Sequence, residues 1–384
     1  MSLARLLAVA SAVPSQAAPQ SVVTGFFVRA YEAGLGSPER ERSVRALHMI
    51  ADRAGIDQRH SVVTDYAQTD PAEFRFYPPS ADLKPFPTTA QRMAVYERES
   101  VPLALDAARK ALERARAMNV APPDVTHIVF VTCTGFFAPG PDIQLIRALG
   151  LRPDVQRTLI GFMGCHAAFN AVRTASHIVQ SDASAVVLVV CVELCSLHFQ
   201  IDPAADAIVA NTLFADGACA MLFGAADAYP KGLADVRRAC SRVDDDSLDQ
   251  MSWRIGNHGF HMTLSSDVPH TLHAGAPGFV AALLEPVGLT AAQVVQWAVH
   301  PGGVRIIDAI ARALELPADA VASAREVLSQ YGNMSSATLG FLLERDLPSA
   351  AAKAPAGASR VPLVALGFGP GLTIEGLLLD VLPA

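Results

Sequence analysis

The chain has 384 residues, 51% of them hydrophobic and 17% charged, with a formal net charge of −7. So apolar a chain is neither disordered nor extended, and at this length it calls for two domains or two halves sharing an interface, since single cores stop growing near about 250–300 residues. The negative balance, without a cationic block, excludes an electrostatic footprint for nucleic acid or an anionic membrane, and no run of about 18 apolar residues predicts a membrane span.

In chain order, the opening MSLARLLAVASAVPSQA carries an Arg, an apolar run and an A-x-A-like site, as a secretory signal does. A buried first strand from about Leu6 to Val13, stopped by Pro14, explains the same letters and is the reading taken. From Val101 to Ala117 apolar residues recur at helical spacing, then APPDV turns the chain into the strand-like HIVFVTCTG. A similar unit follows, in which VRTASHIVQSDAS hands over to the buried strand AVVLVVCVE. This alternation predicts an α/β architecture with strands covered on both faces. The stretch AADAYPKGLAD reads as a surface connection and divides the chain near residue 229, into 1–229 and 230–384.

The second part contains PGFVAALLEPVGLTAAQVVQWAVHPGG, read as helix, turn and strand ending at His300. VRIIDAIARALEL follows as an amphipathic helix, and VPLVALGFGPGLTIEGLLLDVL as two strands around a Gly/Pro loop. Cysteines 133, 165, 191, 195, 219 and 240 lie in apolar or small-residue stretches without the spacing of a disulfide scaffold, which predicts free thiols in a reducing, cytoplasmic compartment. Cys191, Cys195 and His198 superficially suggest metal ligands, but Cys191 sits inside a continuous apolar strand with no second CxxC or HxxxH pair, so it is read as core.

Three residues could carry chemistry. Cys165, in LIGFMGCHAAFNAVRTA, follows a strand-like run ending at Gly164 and precedes a helical segment, where the helix N-terminus favours a thiolate; a small buried core residue is the other reading. His300 ends an apolar run before Pro-Gly-Gly, a turn that can aim an imidazole or merely hold a structural one. Asn333, in QYGNMSSATLG, is a hydrogen-bond donor or a helix cap. Together a thiol, an imidazole and an amide suit thioester chemistry.

The segments GFMGCHAAFNA, AVHPGG, YGNMSSAT and GFGPGLTIE occur in the order found in type III polyketide synthases, and the chain resembles that family over nearly its whole length, with the chalcone synthases and the bacterial alkylpyrone and alkylresorcinol synthases as its members. The resemblance implies a thiolase-like fold of two related α/β halves, layered α-β-α-β-α, normally a homodimer, acting on acyl-CoA and malonyl-CoA with no metal or organic cofactor. It implies that Cys165 carries the acyl group, that His300 pairs with its thiolate, and that His300 and Asn333 hold the malonyl thioester during decarboxylation. Phe214 matches the family's aromatic gate, while Gly367, Phe368, Gly369, Pro370, Gly371 and Ser335 match positions lining the site.

Several positions depart from the plant pattern. Cys133 and Thr134 replace a Thr-Ser pair, Cys195 and His198 stand where two Thr are usual, Trp253 falls near a common Gly, and Met262 near a common Phe. These exchanges favour an aliphatic, medium to long starter and an α-pyrone or resorcinol product over an aromatic starter. Of the family's basic CoA cluster, Arg53 matches one member; Ala46 and Met49 stand at two others, and Arg45 is expected to compensate. A single-round β-ketoacyl-ACP synthase fits HPGG and GFGPG less well, a papain-like hydrolase fails on motif order, and a non-catalytic interaction protein would not need all three polar residues.

Overall fold

The computed structural model describes residues 2–383. Nine strands form one mixed sheet in the order Gln296–Val299, Val361–Gly369, Thr373–Val381, Ala234–Val243, Ala4–Ala12, Asp216–Ala225, Val187–Leu194, His127–Thr132 and Gln156–Gly161. The opening segment is thus a central strand, buried along nearly all its length. The chain crosses the division near residue 229 in a turn and enters strand Ala234–Val243, which meets the first strand only through Ala4, Arg5 and Leu6.

Both faces of the sheet are covered, as the unbroken apolar strands require. Val187, Val189 and Cys191 point into one core, Leu188, Val190 and Val192 into the other, following the period of two along a strand. The helix Ala167–Ser181 packs small residues into the first core; the helix Thr89–Ala115 packs Ala104, Ala107, Ala108 and Ala111 into the second. That second helix begins twelve residues before the expected Val101, with a Thr88–Gln91 capping box. Pro102 inside it and the polar run before it hid the start.

Strands His127–Thr132, Val187–Leu194 and Gln156–Gly161 are mutually parallel, as are Gln296–Val299 and Val361–Gly369. Their carboxyl ends deliver Cys133, Cys195, the turn bearing Cys165, His300 and Pro370, the usual place for a site in open α/β sheets. Two sequence expectations shift here. The strand before Cys165 ends at Gly161, not Gly164, and three of the five GFGPG residues continue a strand, leaving the turn to Pro370, Gly371 and Leu372.

Candidate active site

Cys165 stands in the turn just before the helix Ala167–Ser181. The turn needs Gly164, which has φ +79° and whose added Cβ would lie 2.4 Å from Pro370 Cδ. A Cβ on Gly369 would lie 2.1 Å from His166 Nδ1, and one on Gly367 would lie 2.3 Å from the Phe169 ring. The nucleophile turn and the GFGPG strand therefore interlock through three glycines, which is the physical content of that motif.

His300 is fixed by its N–H, which donates to Leu366 O at 2.8 Å. Asn333 follows Gly332, at φ +72°, and bridges to the Phe214 segment: Asn333 N–H donates to Leu213 O and Ala215 N–H to Asn333 O, both at 2.9 Å. Its side-chain Oδ1 accepts from Ser335 N–H at 2.9 Å, which leaves the amide NH2 as the donor available to a ligand.

Two cavities meet at Cys165, Phe214 and Met262. The larger, about 730 Å³, has His300, Asn333 and Phe368 inside and Arg53 at its rim. The smaller, about 240 Å³, is lined by Cys133, Thr134, Cys195, His198, Trp253, Ser335 and Pro370. Phe214 lies between the two, where an aromatic gate would stand. Gly367, Gly369 and Gly371 line neither cavity; the first two serve the packing just described. Arg45 also lines neither, being eight residues, about 12 Å, before Arg53 on the helix Glu39–Arg53. Cys191 is a core residue paired across strands with Cys219.

Burial dominates the electrostatics. It pushes the Cys165 thiol up to about 11, with Ser335 and Asn333 opposing the rise, so the expected lowering at a helix N-terminus is outweighed by desolvation. Burial likewise pushes the His300 imidazole down to about 3. Both of its ring nitrogens lack a hydrogen-bond partner although the residue is 2% exposed. Burial thus works against the charged form of both thiol and imidazole, and the imidazole keeps its full hydrogen-bonding capacity for a ligand.

The wall of the smaller cavity is rigid. His198 Nε2 donates to Thr134 O at 2.7 Å, while its Nδ1 accepts from Phe260 N–H at 3.1 Å, so both nitrogens are used. Its ring stacks on Phe260 with centroids 4.2 Å apart, and Trp253 Nε1 donates to Cys133 O at 2.7 Å. Behind them lies Glu193, fully buried, accepting from Cys133 N–H at 3.0 Å, Thr134 Oγ1 at 2.8 Å and the Ser336 hydroxyl. Burial raises its pKa against these donors. Sequence reasoning missed Glu193, though a lone acid closing the apolar run AVVLVVCVE was the available signal. It also missed His166 and Met251, which no motif singled out.

Family models for chalcone and stilbene synthases match residues 1–227 (N-terminal domain) and 237–383 (C-terminal domain). The chain is 33% identical over 331 residues, 85% of itself and 81% of its relative, to the alpha-pyrone synthesis polyketide synthase-like Pks18 of Mycobacterium tuberculosis, and equally to that of Mycobacterium bovis. Among solved structures it resembles PKS-I of the brown alga Ectocarpus siliculosus, with TM-score 0.88 and 30% identity over 100% of this chain and 99% of that one. It also resembles the C-terminal type III polyketide synthase domain of Steely1, a type I/III hybrid from Dictyostelium, with TM-score 0.85 and 27% identity over 99% of both chains. These neighbours share the thiolase-like fold expected from the motifs. The chain belongs to the chalcone and stilbene synthase family of type III polyketide synthases, acyltransferases that carry out Claisen condensation on CoA thioesters without a metal or organic cofactor.

Proposed function

We propose that this chain loads an aliphatic acyl-CoA starter onto Cys165, extends it by repeated decarboxylative condensation with malonyl-CoA, and cyclises the product to an α-pyrone or resorcinol. The observation carrying this reading is the convergence of Cys165, His300, Asn333 and Phe214 on one cavity of about 730 Å³.

In loading, Cys165 Sγ attacks the thioester carbonyl, the carbon–sulfur bond to CoA breaks, and the thiol proton passes through His300 to the leaving sulfur. Both ring nitrogens of His300 are without a partner in the protein, so one is free to take that proton and pass it on. Malonyl-CoA then loses CO2, and the electron pair left behind forms an enolate whose oxygen is held by the His300 imidazole and the Asn333 NH2. The enolate carbon attacks the acyl group on Cys165 and expels the thiolate, which takes the lengthened chain back for the next round.

The smaller cavity, about 240 Å³ and lined by Cys133, Cys195, Trp253, Met262 and Phe260, supports an aliphatic tail. The relative named for alpha-pyrone synthesis supports the lactone outcome. We assign the acyl-carrying half to 1–229 and the half bearing His300 and Asn333 to 230–384. The edge strand Gln156–Gly161, with Leu159 56% exposed, supports a homodimer joined along that edge. Six free cysteines support a cytoplasmic location, and among the described residues no helix is long and apolar enough to cross a membrane.

Incubation of the protein with malonyl-CoA and a series of aliphatic and aromatic acyl-CoAs, read by mass spectrometry, tests the reading. Expected are multiply extended products from the aliphatic starters and an acyl adduct that disappears in Cys165→Ala. Hydrolysis without extension would reject the synthase reading, and extension of aromatic starters alone would reject the aliphatic one.

A further inference from the structure

Arg59 is a buried cation without a part in the reaction steps above. It is 5% exposed and sits in the short strand Gln58–His60. Burial pulls its pKa down to about 10, which still leaves it charged at any working pH. Among the described residues it forms no ion pair. Its Nε and Nη2 have no hydrogen-bond partner, and the guanidinium lies over the Phe27 ring, 5.4 Å from its centroid. A charge buried without a carboxylate is costly, so the bonds it does make are the reason to look for its use.

Those bonds go to the gate. Arg59 Nη1 donates to Phe214 O and to Asn211 O, each at 2.8 Å. Asn211 lies in the last turn of the helix Ala205–Leu213, so the cation meets carbonyls at the negative end of that helix. The stem of the same side chain packs on the turn that presents Asn333: a Cβ added to Gly332 would lie 3.2 Å from Arg59 Cγ and 3.0 Å from Leu213 O. The strand carrying Arg59 is fastened to the approach to that turn. Asp57 N–H donates to Ser329 O at 2.8 Å, and the His60 ring stacks on Tyr331 with centroids 5.9 Å apart.

We propose that Arg59 is a positioning residue that braces Phe214 and Asn333 together and thereby aims the Asn333 amide at the enolate oxygen. The head of the side chain holds the gate backbone, the stem supports Gly332, and the backbone bridge between Phe214 and Asn333 closes the triangle. Because the head binds main-chain carbonyls, opening of the gate is left to rotation of the Phe214 ring while its backbone stays fixed. The same brace couples the first half of the chain to the oxygen-holding amide of the second.

The inference rests on the roles given above to Phe214 and Asn333. In Arg59→Met the stem stays and the guanidinium goes. Release of labelled CO2 from malonyl-CoA should then fall about tenfold or more, as misplacement of a transition-state donor does. Acylation of Cys165 by an acyl-CoA, read by mass spectrometry, should be nearly unchanged. Arg59→Lys, whose ammonium can donate to both carbonyls, should recover part of the loss. Hydrogen exchange needs no turnover; in Arg59→Met it should speed up at the amides of Ala215 and Asn333 and not in the strand Val187–Leu194. With an active wild type, unchanged CO2 release in Arg59→Met would overturn the brace, and so would an equal loss of CO2 release and acylation, which marks general damage. Exchange that rises through the whole core, or at neither amide, would overturn it too. If Arg59→Met loosens those two amides but the wild type releases no CO2, the brace stands and the synthase reading falls.

Discussion

Gly369 and His166 pack closely beside the nucleophile: a single added methyl on the glycine would lie 2.1 Å from Nδ1 of the imidazole. His166 is the residue after the nucleophile and is 2% exposed, so its ring has little room to retreat. Gly369 belongs to a strand of the other half of the chain, and the contact ties the position of Cys165 to the register of that strand. Gly164 against Pro370 repeats the arrangement one residue before the thiol.

Gly369→Ala should therefore injure chemistry more than stability. Overpacking of this kind costs about 1–3 kcal/mol, while a displacement of about 1 Å at the nucleophile costs about 100-fold in rate. Rapid-quench mass spectrometry of the acyl adduct on Cys165 reads the loading step directly, and thermal unfolding reads the stability. Adding His166→Ala should restore much of the loading rate by making room for the new methyl. Wild-type loading in Gly369→Ala would show that the interlock does not set the thiol.

A second prediction concerns acid stability. His198 is held near 3, mainly by burial, against an ordinary value of 6.5. Between these values the unfolded chain binds a proton at this residue and the folded chain does not, so the native state loses stability as pH falls from about 6.5 towards 3. His198→Gln removes that linkage at the cost of the paired hydrogen bonds to Thr134 and Phe260. Wild type should be the more stable at pH 7, and its advantage should shrink by up to about 1.4 kcal/mol per pH unit below 6.5. Denaturant unfolding at pH 7, 6 and 5 checks it; an advantage independent of pH would mean that His198 titrates normally.

The layered α/β architecture was legible because most of its strands are apolar runs, Cys165 and His300 because each follows a strand-like run, and Asn333 because it stands in a Gly-Asn turn before a small-residue segment. The wall of the smaller cavity was not. His198 looked like a stray polar exchange, yet its ring is stacked on Phe260, a residue far along the chain, and no local pattern encodes that pairing. Arg305 read as the polar face of an amphipathic helix, which it also is; only the fold brings it to the same cavity as Arg53. The burial of Cys165 was not legible for a related reason, since local sequence displays the helix that follows the thiol but not the depth that pushes its pKa up.

Trp253 should set the length of the starter. Its indole closes the smaller cavity, pinned by the hydrogen bond to Cys133 O and by edge contact with His198 and Phe260. Trp253→Gly opens the wall and should shift the preferred acyl-CoA to longer chains, with a stability loss of about 3 kcal/mol for the emptied volume. Trp253→Phe, which keeps a ring and loses the hydrogen bond, should cost about 1 kcal/mol and leave the length preference nearly intact. Competition among acyl-CoAs of graded length gives the preference directly; an unchanged profile in Trp253→Gly would place the end of the tail elsewhere.

Cys133 should bias cyclisation. Its Sγ lies 3.4 Å from both Glu193 carboxylate oxygens and 3.5 Å from Ser335 Oγ, so it joins the buried acid to the residue that steadies Asn333. A thiol is a weak donor and leaves this link loose, whereas a hydroxyl in the same place donates firmly to the carboxylate. Cys133→Ser therefore draws Glu193 into a continuous chain of hydrogen bonds reaching the cavity, the arrangement needed to activate a water or steer a proton during aldol closure. An added preference of about 1 kcal/mol would change the ratio of aldol-derived product to α-pyrone about fivefold, with the total turnover affected less. Cys133→Val, which has no donor, should push the ratio the other way. Liquid chromatography of the products from one fixed starter gives the ratio for all three proteins, and equal ratios would remove Glu193 and Cys133 from the cyclisation route.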